Sequence, residues 1–533
     1  MKRSTCVWLW CLVCAAVGGA IAWMGRNGMN PDGISYMDMA EAAIKGDPSA
    51  LVNGHWGPAY PVLISIWLQI VKPSPVMQFT AVHLLNFLIF LLAIWAFTVF
   101  IRGWSDLMLV SMSFSIFLLL MMGFTRPRLV TPDLLVAGFA LLAAAFCFKA
   151  FEPGCGVRRY LSLGLVLGLG SYVKAPVLPA GLMLLGLLFL WPGDPSRRRK
   201  TLFALLSLLL VVVPLIALQS RRAGKLTISE SAHLNYLWHI NRVDQFAGWT
   251  GPLPNEPAPN GRPLHPPRVL SVHPLALEFA TPVGGAFPLW FDPAYWYDGA
   301  SIRFGVGQLS AIRNTWDDDR RILRTISALI AGAVLLVAVL IWQRKFPRIA
   351  GANLCLLIWP VPVCGMFLLI HIEGRYVAGF LAVFWLIVFE RLGSAMEIRR
   401  RNAIYGVVML AILIQIAGYL RWAYQEPERE ADSAYLQLGD ALSREGIQRG
   451  DGLALVGRWE DSSVSAAHYL GARVIAWIPN TDDFWRRDAA DRDRLASKLA
   501  GIGVKALVAH RPSRAVSAAG WRDVAGFLIL RVQ

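Results

Sequence analysis

Two acidic residues stand where an apolar segment meets a polar one, and either could serve as a general base. Asp32 directly follows the first apolar segment, and Asp133 begins the fourth. A carboxylate at such a boundary can simply cap a helix. Two carboxylates delivered to one place from separate helices can instead act as a base and its orienting partner, or share a divalent cation. If a helix begins near Asp32, Tyr36 lies on the same face of it, four residues later.

Two basic residues could bind phosphate. Lys174 interrupts an apolar stretch, where a cation is unfavourable. Its ammonium group can extend to the membrane interface or neutralise a phosphate, and we favour the phosphate role. Arg375 shares a short turn with His371 and Glu373. Its planar guanidinium suits phosphate oxygens, although a structural ion pair with Glu373 would also explain it. We therefore predict a phosphate-binding group of Lys174, Arg375, Glu373 and His371.

Aromatic residues surround these polar positions and could contact a sugar. Trp56 lies in the first polar segment, and Tyr295 and Trp296 lie in a dense aromatic run over 287–298. Aromatic residues at this height often form only a belt at the membrane interface. The functional interpretation is that they stack on a sugar or cover a donor pocket. On that interpretation we predict Tyr36, Trp56, Tyr295 and Trp296 as substrate-binding residues.

The composition requires elements that cross a membrane. Of the 533 residues, 56% are apolar and only 16% are charged, whereas soluble domains have nearer a quarter charged residues. Several runs approach the ~20 apolar residues that cross ~30 Å of hydrocarbon. The net charge of +16 could indicate a nucleic-acid partner. The basic residues instead flank the apolar segments, so we expect the lipid bilayer, and no nucleic acid, as a partner.

About eleven apolar segments are predicted to be transmembrane helices. The first is read as uncleaved, because no small-residue cleavage site follows it. The predicted spans lie near 6–24, 76–101, 105–123, 133–150, 160–174, 176–192, 201–219, 322–343, 349–370, 377–392 and 403–421. Segment 58–72 is too short to span and is predicted to lie in the interface.

Every second loop is basic, which fixes the expected orientation. Basic loops face the cytoplasm, so the N-terminus is predicted to be cytoplasmic. The loops 25–75 and 220–321 and the turns 124–132 and 371–376 then face the exoplasm. All the candidate chemistry converges on that side, and the location expected is the bacterial inner (plasma) membrane, with multiple passes.

Residues 422–533 are charged and read as a separate exoplasmic, periplasmic domain after a transmembrane domain of residues 1–421. Strands are predicted over 450–457, 504–510 and 526–532, a helix end plus a strand over 468–479, and a helix over 491–503. Strands alternating with helices indicate a small α/β domain. It contains no glycine-rich phosphate loop, so no catalytic role is assigned to it. The cysteine spacing indicates neither a disulfide framework nor zinc.

At these residues the chain resembles the GT-C superfamily of integral-membrane glycosyltransferases, in the branch with protein O-mannosyltransferases and the lipid A aminoarabinose transferase. The ordered resemblance covers roughly residues 1–390. It rests on Asp32 with Tyr36, on Trp56-Gly57-Pro58-Ala59-Tyr60-Pro61, on Thr131-Pro132-Asp133, on the glycine-rich helix ending in Lys174, and on Glu373-Gly374-Arg375-Tyr376.

The resemblance implies transfer of a hexosyl or pentosyl group from a polyprenyl-phosphate donor to an acceptor hydroxyl, with inversion. Asp32 is then the general base, and Lys174 and Arg375 contact the donor phosphate. Asp133 is expected to orient the acceptor or Asp32. Protein O-mannosyltransferases have Asp-Glu where this chain has Asp32-Gly33. The acceptor therefore stays open between a glycolipid, a polysaccharide and a protein. The metal-binding pattern of oligosaccharyltransferases is not seen, so no metal ligand is assigned and a divalent cation stays open.

Two alternatives belong to other classes. A transporter or flippase for a lipid-linked saccharide needs polar residues at mid-membrane depth and often an internal repeat. The sequence has polar clusters at one face and no repeat. A scaffold that recruits envelope partners through residues 422–533 is the second alternative. The expected fold is an α-helical polytopic membrane protein with a small soluble α/β domain.

Overall fold

A computed structural model describes residues 2–244, 249–251, 256–279, 282–305, 316–425, 433–458, 462–512 and 520–532, with backbone alone at 316–319. The chain is mostly helical. The α-helices are α1 (Arg3–Met24), α2 (Pro31–Ile44), α3 (Ala59–Val71), α4 (Gln78–Phe100), α5 (Leu107–Leu120), α6 (Asp133–Ala150), α7 (Val157–Val173), α8 (Val177–Leu190), α9 (Pro195–Ala223), α10 (Ser231–Asn235), α11 (Pro288–Phe291), α12 (Pro293–Trp296), α13 (Trp316–Thr325), α14 (Ser327–Gln343), α15 (Gly351–Ile358), α16 (Pro360–Leu368), α17 (Gly374–Ser394), α18 (Ile398–Gln425), α19 (Ala434–Arg444), α20 (Ser462–Leu470), α21 (Thr481–Arg486) and α22 (Ala489–Gly501).

The strands form a mixed sheet in the order β1-β2-β4-β3-β5-β7-β6. The strands are β1 (Arg268–Val272), β2 (Leu275–Glu278), β3 (Gly452–Val456), β4 (Arg473–Ile478), β5 (Val504–His510), β6 (Arg522–Val524) and β7 (Phe527–Arg531). The central strand β3 is buried throughout and pairs in parallel with β4 and β5. Short turns of other helix types lie at Pro48–Leu51, Pro75–Met77, Met121–Thr125 and Tyr236–Ile240.

The predicted fold class is confirmed. In the described part of the chain, eight helical segments are long and apolar enough to cross a membrane, and the chain is a multi-pass membrane protein. They are Arg3–Met24, Pro75–Phe100, Leu107–Thr125, Asp133–Ala150, Pro195–Ala223, Gly351–Leu368, Gly374–Ser394 and Ile398–Gln425. The three other predicted spans coincide with the shorter helices α7, α8 and α14, and the predicted interfacial segment with α3.

The chain divides into two compact units. Unit 1 consists of Met1–Met24, His83–Ile228 and Gly307–Glu426, and unit 2 of Gly25–Val82, Ser229–Val306 and Pro427–Gln533. Unit 1 contains most of the long apolar helices. Unit 2 combines the first long polar segment, the loop predicted over 220–321 and the C-terminal α/β elements, because β2 of that loop pairs antiparallel with β4.

Close helix packing in unit 1 depends on glycines that have no room for a side chain. A Cβ at Gly168 on α7 would lie 2.7 Å from the Val211 side chain on α9, and one at Gly164 would overlap the Ala204 carbonyl. This glycine spacing of four residues is typical of membrane helices whose backbones approach closely. A Cβ at Gly379 on α17 would lie 2.6 Å from the Ala137 backbone on α6. These contacts fix α7 on α9 and α17 on α6.

Candidate functional site

Three helix ends in unit 1 carry the predicted phosphate-binding residues. Asp133 is the first residue of α6, Arg375 lies in the first turn of α17, and Lys174 directly follows the last residue of α7. Helix α7 ends there because Pro176 disfavours helical geometry in the preceding residue and cannot continue the hydrogen-bond ladder. The three residues meet because α7 packs beside α6 and α17 packs on α6 through Gly379.

Asp133 holds both predicted phosphate-binding cations. Its side chain is only 1% exposed, and its Oδ1 accepts a hydrogen bond from the Lys174 ammonium group at 2.7 Å. Its Oδ2 lies 3.8 Å from Nε of Arg375. Lys174 keeps 25% of its side chain exposed, and its Nζ lies 3.7 Å from the ring centroid of Tyr376. The Asp133 carboxylate is therefore enclosed, whereas the Lys174 side chain stays partly exposed.

Glu373 and His371 complete this group. Arg375 donates hydrogen bonds from Nε and Nη2 to the two oxygens of Glu373, at 2.6 and 3.2 Å. Tyr376 donates its hydroxyl to Oε1 of Glu373 at 3.0 Å, and Nε2 of His371 lies 3.3 Å from the same oxygen. Burial alone would raise the pKa of Glu373. The charge of Arg375 and the hydrogen bonds from His371 and Arg375 outweigh burial and hold that pKa well below its usual value.

We call Asp133, Lys174, His371, Glu373, Arg375 and Tyr376 the cationic cluster. Two carboxylates balance the charges of its lysine and arginine. An anionic ligand could contact Lys174, whose side chain is partly exposed, and Arg375 could exchange its bond to the carboxylate of Glu373 for a ligand oxygen. Asp133 would stay behind the two cations and hold them in place. This arrangement suits a phosphate ester.

Asp32 lies in unit 2, in the first turn of α2. The N-cap of α2 is Asn30 and Pro31 follows, so Asp32 is not the capping residue. The N-terminus of a helix favours a negative charge. The indole N–H of Trp290 donates a hydrogen bond to Oδ1 of Asp32 at 3.3 Å. Asp32 is half-buried, in contrast to the enclosed Asp133.

Several hydrogen bonds fix the backbone that carries Trp290. The Ser35 hydroxyl donates to the Trp290 carbonyl at 3.2 Å, and the Asn53 amide donates to the Phe291 carbonyl at 2.8 Å. The Trp56 indole lies 3.3 and 3.2 Å from the same two carbonyls. Trp290 is therefore held by the same polar segment, 25–75, that contains its partner Asp32.

The predicted aromatic residues fall into two groups. Tyr36 and Trp56 are buried and their ring centroids lie 5.1 Å apart; Trp56 also contacts Trp290 edge-on at 5.6 Å. Tyr295 instead stacks on His265 at 4.2 Å, and Trp296 is buried against Phe279 and donates to the Pro288 carbonyl. Tyr36 and Trp56 thus belong with Asp32 and Trp290, whereas the ring contacts of Tyr295 and Trp296 lie within the long loop.

The sequence did not single out Trp290 or Tyr376 as site residues. Both stood inside segments that the sequence marked, the aromatic run over 287–298 and the Glu373-Gly374-Arg375-Tyr376 turn. The contact that distinguishes Trp290 from the other aromatic residues of its run is the one with Asp32, which lies 258 positions earlier in the chain. No local pattern encodes that contact.

The donor sets described here do not fit a metal ion. In the described ranges, no group of three or more His, Cys, Asp or Glu side chains is arranged to hold one. In the cationic cluster, Asp133 and Glu373 are each engaged by a lysine or an arginine. We therefore derive no chemical step through a metal.

Comparison with known proteins gives matches by structure only. A scan against protein-family models finds none, and a search of curated protein sequences also finds none. ArnT from Cupriavidus metallidurans in the apo state is similar at a TM-score of 0.54 and 12% identity, over 98% of both chains. ArnT bound to undecaprenyl phosphate gives a TM-score of 0.53.

The archaeal oligosaccharyltransferase AglB from Archaeoglobus fulgidus is also similar. Its complex with an inhibitory peptide and a dolichol-phosphate gives a TM-score of 0.53 and 12% identity, over 95% of this chain and 69% of that one. ArnT and AglB are both GT-C glycosyltransferases. The chain has the GT-C fold. The resemblance seen in the sequence is thereby confirmed for the fold, and the GT-C helices α6, α7 and α17 carry the cationic cluster.

Proposed function

We propose that this protein is a membrane glycosyltransferase that moves a sugar from a polyprenyl-phosphate donor to an acceptor hydroxyl. The observation that carries the proposal is the pair of cations, Lys174 and Arg375, held by the enclosed carboxylate of Asp133 in a GT-C fold. Two structures of that fold are described as bound to a polyprenyl phosphate, undecaprenyl phosphate in ArnT and dolichol-phosphate in AglB.

The cationic cluster would bind the donor phosphate and stabilise it as it leaves. When the bond from the sugar C1 to the phosphate oxygen breaks, the electron pair stays on the polyprenyl phosphate. Fixed cations aimed at a developing negative charge need little reorganisation during the reaction. Asp133 would contribute indirectly, by orienting Lys174 and Arg375. Its contacts favour this role over the one first predicted from the sequence, that of orienting the acceptor or Asp32.

Asp32 would act as the general base. The acceptor hydroxyl attacks the sugar C1, and its proton passes to the Asp32 carboxylate. Positioned base catalysis of this kind contributes typically about 10²–10⁴-fold. Trp290 would hold the carboxylate by its indole N–H, Trp56 would support Trp290 from the side, and Tyr36 would pack on Trp56. Attack opposite the leaving phosphate gives inversion at C1.

The cellular setting follows from the charge of the loops. Basic loops flank the apolar helices, so we place the N-terminus in the cytoplasm, and Asp32 and the cationic cluster on the exoplasmic side of a bacterial inner membrane. A glycolipid, a polysaccharide and a protein all offer hydroxyl groups, and each remains a proposed acceptor class.

The direct test uses purified protein with a panel of radiolabelled undecaprenyl-phosphate hexoses and pentoses. We expect one donor to lose its sugar and to release undecaprenyl phosphate when extracted envelope glycolipids, polysaccharides or proteins are added. A donor that binds but keeps its sugar in the presence of every acceptor class would favour the alternative function, a transporter for a lipid-linked saccharide. Absence of both binding and release would contradict the proposal.

A further inference from the structure

A buried histidine of the C-terminal segment contacts the helix that carries Asp32. His468 on α20 has 1% of its side chain exposed. Its Nδ1 lies 2.7 Å from Oδ1 of Asp38, and its Nε2 lies 3.5 Å from Oε1 of Glu41. Asp38 and Glu41 both lie on α2, six and nine residues after Asp32. We call Asp38, Glu41 and His468 the buried triad, in which His468 is enclosed and Asp38 and Glu41 keep 10% and 21% of their side chains exposed.

The second oxygen of Asp38 holds the loop that leads to Trp290. The backbone N–H of Ala286 donates to Oδ2 of Asp38 at 2.7 Å. The Ala286 carbonyl accepts from the N–H of Val474 on β4 at 2.8 Å, and Arg473 donates to the Val283 carbonyl. Asp38 therefore joins three segments: α2, the C-terminal α/β elements and the loop segment 283–286. Four residues beyond Ala286, Trp290 donates to Asp32.

A contribution to the free energy of unfolding alone is a poor explanation for a triad of ionisable side chains around an enclosed histidine. Replacing buried ionic groups with well-packed apolar ones is often neutral or stabilising. Buried polar groups instead can specify one arrangement of the segments that they join. Here the joined segments are α2 and the loop that holds Trp290 against Asp32. Phe79 stacks beside His468 at 5.9 Å.

We propose that the buried triad positions Asp32. The C-terminal segment, through His468, fixes the orientation of α2 and of the Trp290 loop, so that the Asp32 carboxylate keeps one geometry. His468, Asp38 and Glu41 are positioning residues and do not touch the donor. This inference rests on the proposed role of Asp32, and it gives the C-terminal segment a function that its own sequence does not reveal.

The charge of the triad makes this positioning pH-dependent. Burial alone would lower the pKa of His468, but the hydrogen bond and charge of Asp38 and the charge of Glu41 outweigh it and raise that pKa above 6.5. Burial raises the pKa of Glu41, and the charge of His468 with the hydrogen bonds from Lys45 and Gln78 more than reverses this, so its pKa is lowered. Further charged neighbours among the described residues are Lys45, whose charge opposes that of His468, Arg449, 3.9 Å from Glu41, and Arg473 beside Asp38.

The pKa of His468 is higher in the folded protein than in the unfolded chain. Its contribution to the stability of the fold is therefore fully present below the unfolded pKa near 6.5 and is lost as the pH rises through the folded pKa. The pKa of Glu41 is lower in the folded protein than in the unfolded chain. Its contribution to the stability of the fold is therefore present above the unfolded pKa and is lost as the pH falls through the folded pKa. The triad therefore holds α2 most firmly between the folded pKa values of Glu41 and His468, and its hold weakens as the pH rises through the folded pKa of His468.

The test compares His468→Phe, which removes both polar contacts, with His468→Asn, which keeps a donor near the Nδ1 position but cannot titrate. His510→Gln, at the end of β5, is the matched control. Hydrogen–deuterium exchange of peptides covering 31–44 and 283–291 reports the positioning without any need for transfer. Binding of undecaprenyl phosphate and the pH profile of kcat with an undecaprenyl-phosphate sugar are measured beside it.

For His468→Phe we expect faster exchange in both peptides, unchanged undecaprenyl phosphate binding and a fall in kcat on the order of 10- to 100-fold, the scale of a misplaced catalytic group. His468→Asn should keep most of kcat near neutral pH and lose the decline in kcat that the wild-type protein shows as the pH rises through the pKa of His468. If His468→Phe does not fold, the pH profile and exchange of His468→Asn decide.

Unchanged exchange in both variants would overturn the inference, and so would faster exchange with an unaltered kcat and pH profile. If the wild-type protein transfers no sugar, the proposed function fails. In that case, faster exchange in 31–44 and 283–291 would still support the role of the triad in holding α2, and unchanged exchange would overturn it.

Discussion

Asp133 explains how two cations can lie side by side in the protein. Lys174 and Arg375 both carry positive charge, and their mutual repulsion would separate them if nothing lay between. The enclosed Asp133 carboxylate contacts Lys174 at 2.7 Å and Arg375 at 3.8 Å. Glu373 forms a second ion pair with Arg375. The site is thus organised before the donor arrives.

The shape of the Arg375 guanidinium should matter as well as its charge. Arg375→Lys keeps the charge but loses the planar fork that binds two phosphate oxygens. We expect its Kd for undecaprenyl phosphate to rise about 10-fold, the scale of one hydrogen bond to a charged group. Titration calorimetry in detergent measures this. Arg158→Lys, an exposed residue on α7, is the control, and equal affinity of both variants would contradict the assignment.

The indole N–H of Trp290 should affect turnover and leave donor binding unchanged. Trp290→Phe keeps an aromatic ring against Trp56 but removes the hydrogen bond to Asp32. We expect kcat to fall about 10-fold, the scale of a hydrogen bond to a charged group. Trp521→Phe in the C-terminal core is the matched control. A raised Kd for undecaprenyl phosphate with normal kcat would refute the role given to Trp290.

At the residue scale, the sequence predicted the members of the site better than their contacts. Lys174 and Arg375 were recognisable because charges are rare in apolar segments. The contacts among Asp133, Lys174 and Arg375 depend on how the helices that carry them pack together. His468 could not be assigned, because its partners on α2 lie more than four hundred residues earlier in the chain.

At the scale of elements, the position of Arg375 beside Asp133 depends on a helix contact with no spare space. Gly379 lies just over one turn after Arg375 on α17 and packs on the backbone of Ala137 in α6. Any side chain there must push the helix ends apart. The packing of these two helices therefore determines the geometry of the cationic cluster.

Gly379→Ala should lower both thermal stability and phosphate binding. A Cβ at Gly379 would lie 2.6 Å from the Ala137 backbone, whereas a Cβ at Gly186 on α8 meets nothing within 4 Å. In a helix, Gly→Ala otherwise stabilises by about 1 kcal/mol, so Gly186→Ala should not lower the melting temperature. Melting curves in detergent and undecaprenyl phosphate titration test both. Equal stability of the two variants would contradict the tight contact.

The helices were predictable from sequence, but part of the sheet was not. Each predicted span coincides with a helix, because a long apolar run has few alternatives in a membrane. The strands β3 to β5 and β7 also follow predicted segments. The β1–β2 hairpin was missed, because its strands are short and partly exposed. Its structure depends on pairing with β4, which lies far away in sequence.

At the scale of the whole molecule, the fold is shared with enzymes of only 12% identity. Identity that low supports the architecture alone, and the chemistry must be argued from this chain's own residues. Besides the fold, the whole molecule has an expected orientation in the membrane, which the distribution of basic residues predicts.

Labelling with a membrane-impermeant maleimide should reveal that orientation. Glu256→Cys lies in the long loop, and Arg198→Cys lies at the start of α9; both positions are exposed. We expect intact spheroplasts to label Glu256→Cys, and Arg198→Cys to label only after lysis. The wild-type protein, whose seven cysteines are buried or half-buried, gives the background. Labelling in the opposite pattern would reverse the topology and contradict an exoplasmic reaction.

The central claim is that Asp32 is the base of a glycosyl transfer from a polyprenyl phosphate. The most direct measurement is transfer from a radiolabelled undecaprenyl-phosphate sugar by wild-type protein, Asp32→Asn and the control Asp47→Asn in the same polar segment. We predict that Asp32→Asn still folds and binds undecaprenyl phosphate, with kcat reduced by about 10²–10⁴-fold, and that Asp47→Asn transfers normally. Near-wild-type turnover by Asp32→Asn would contradict the account.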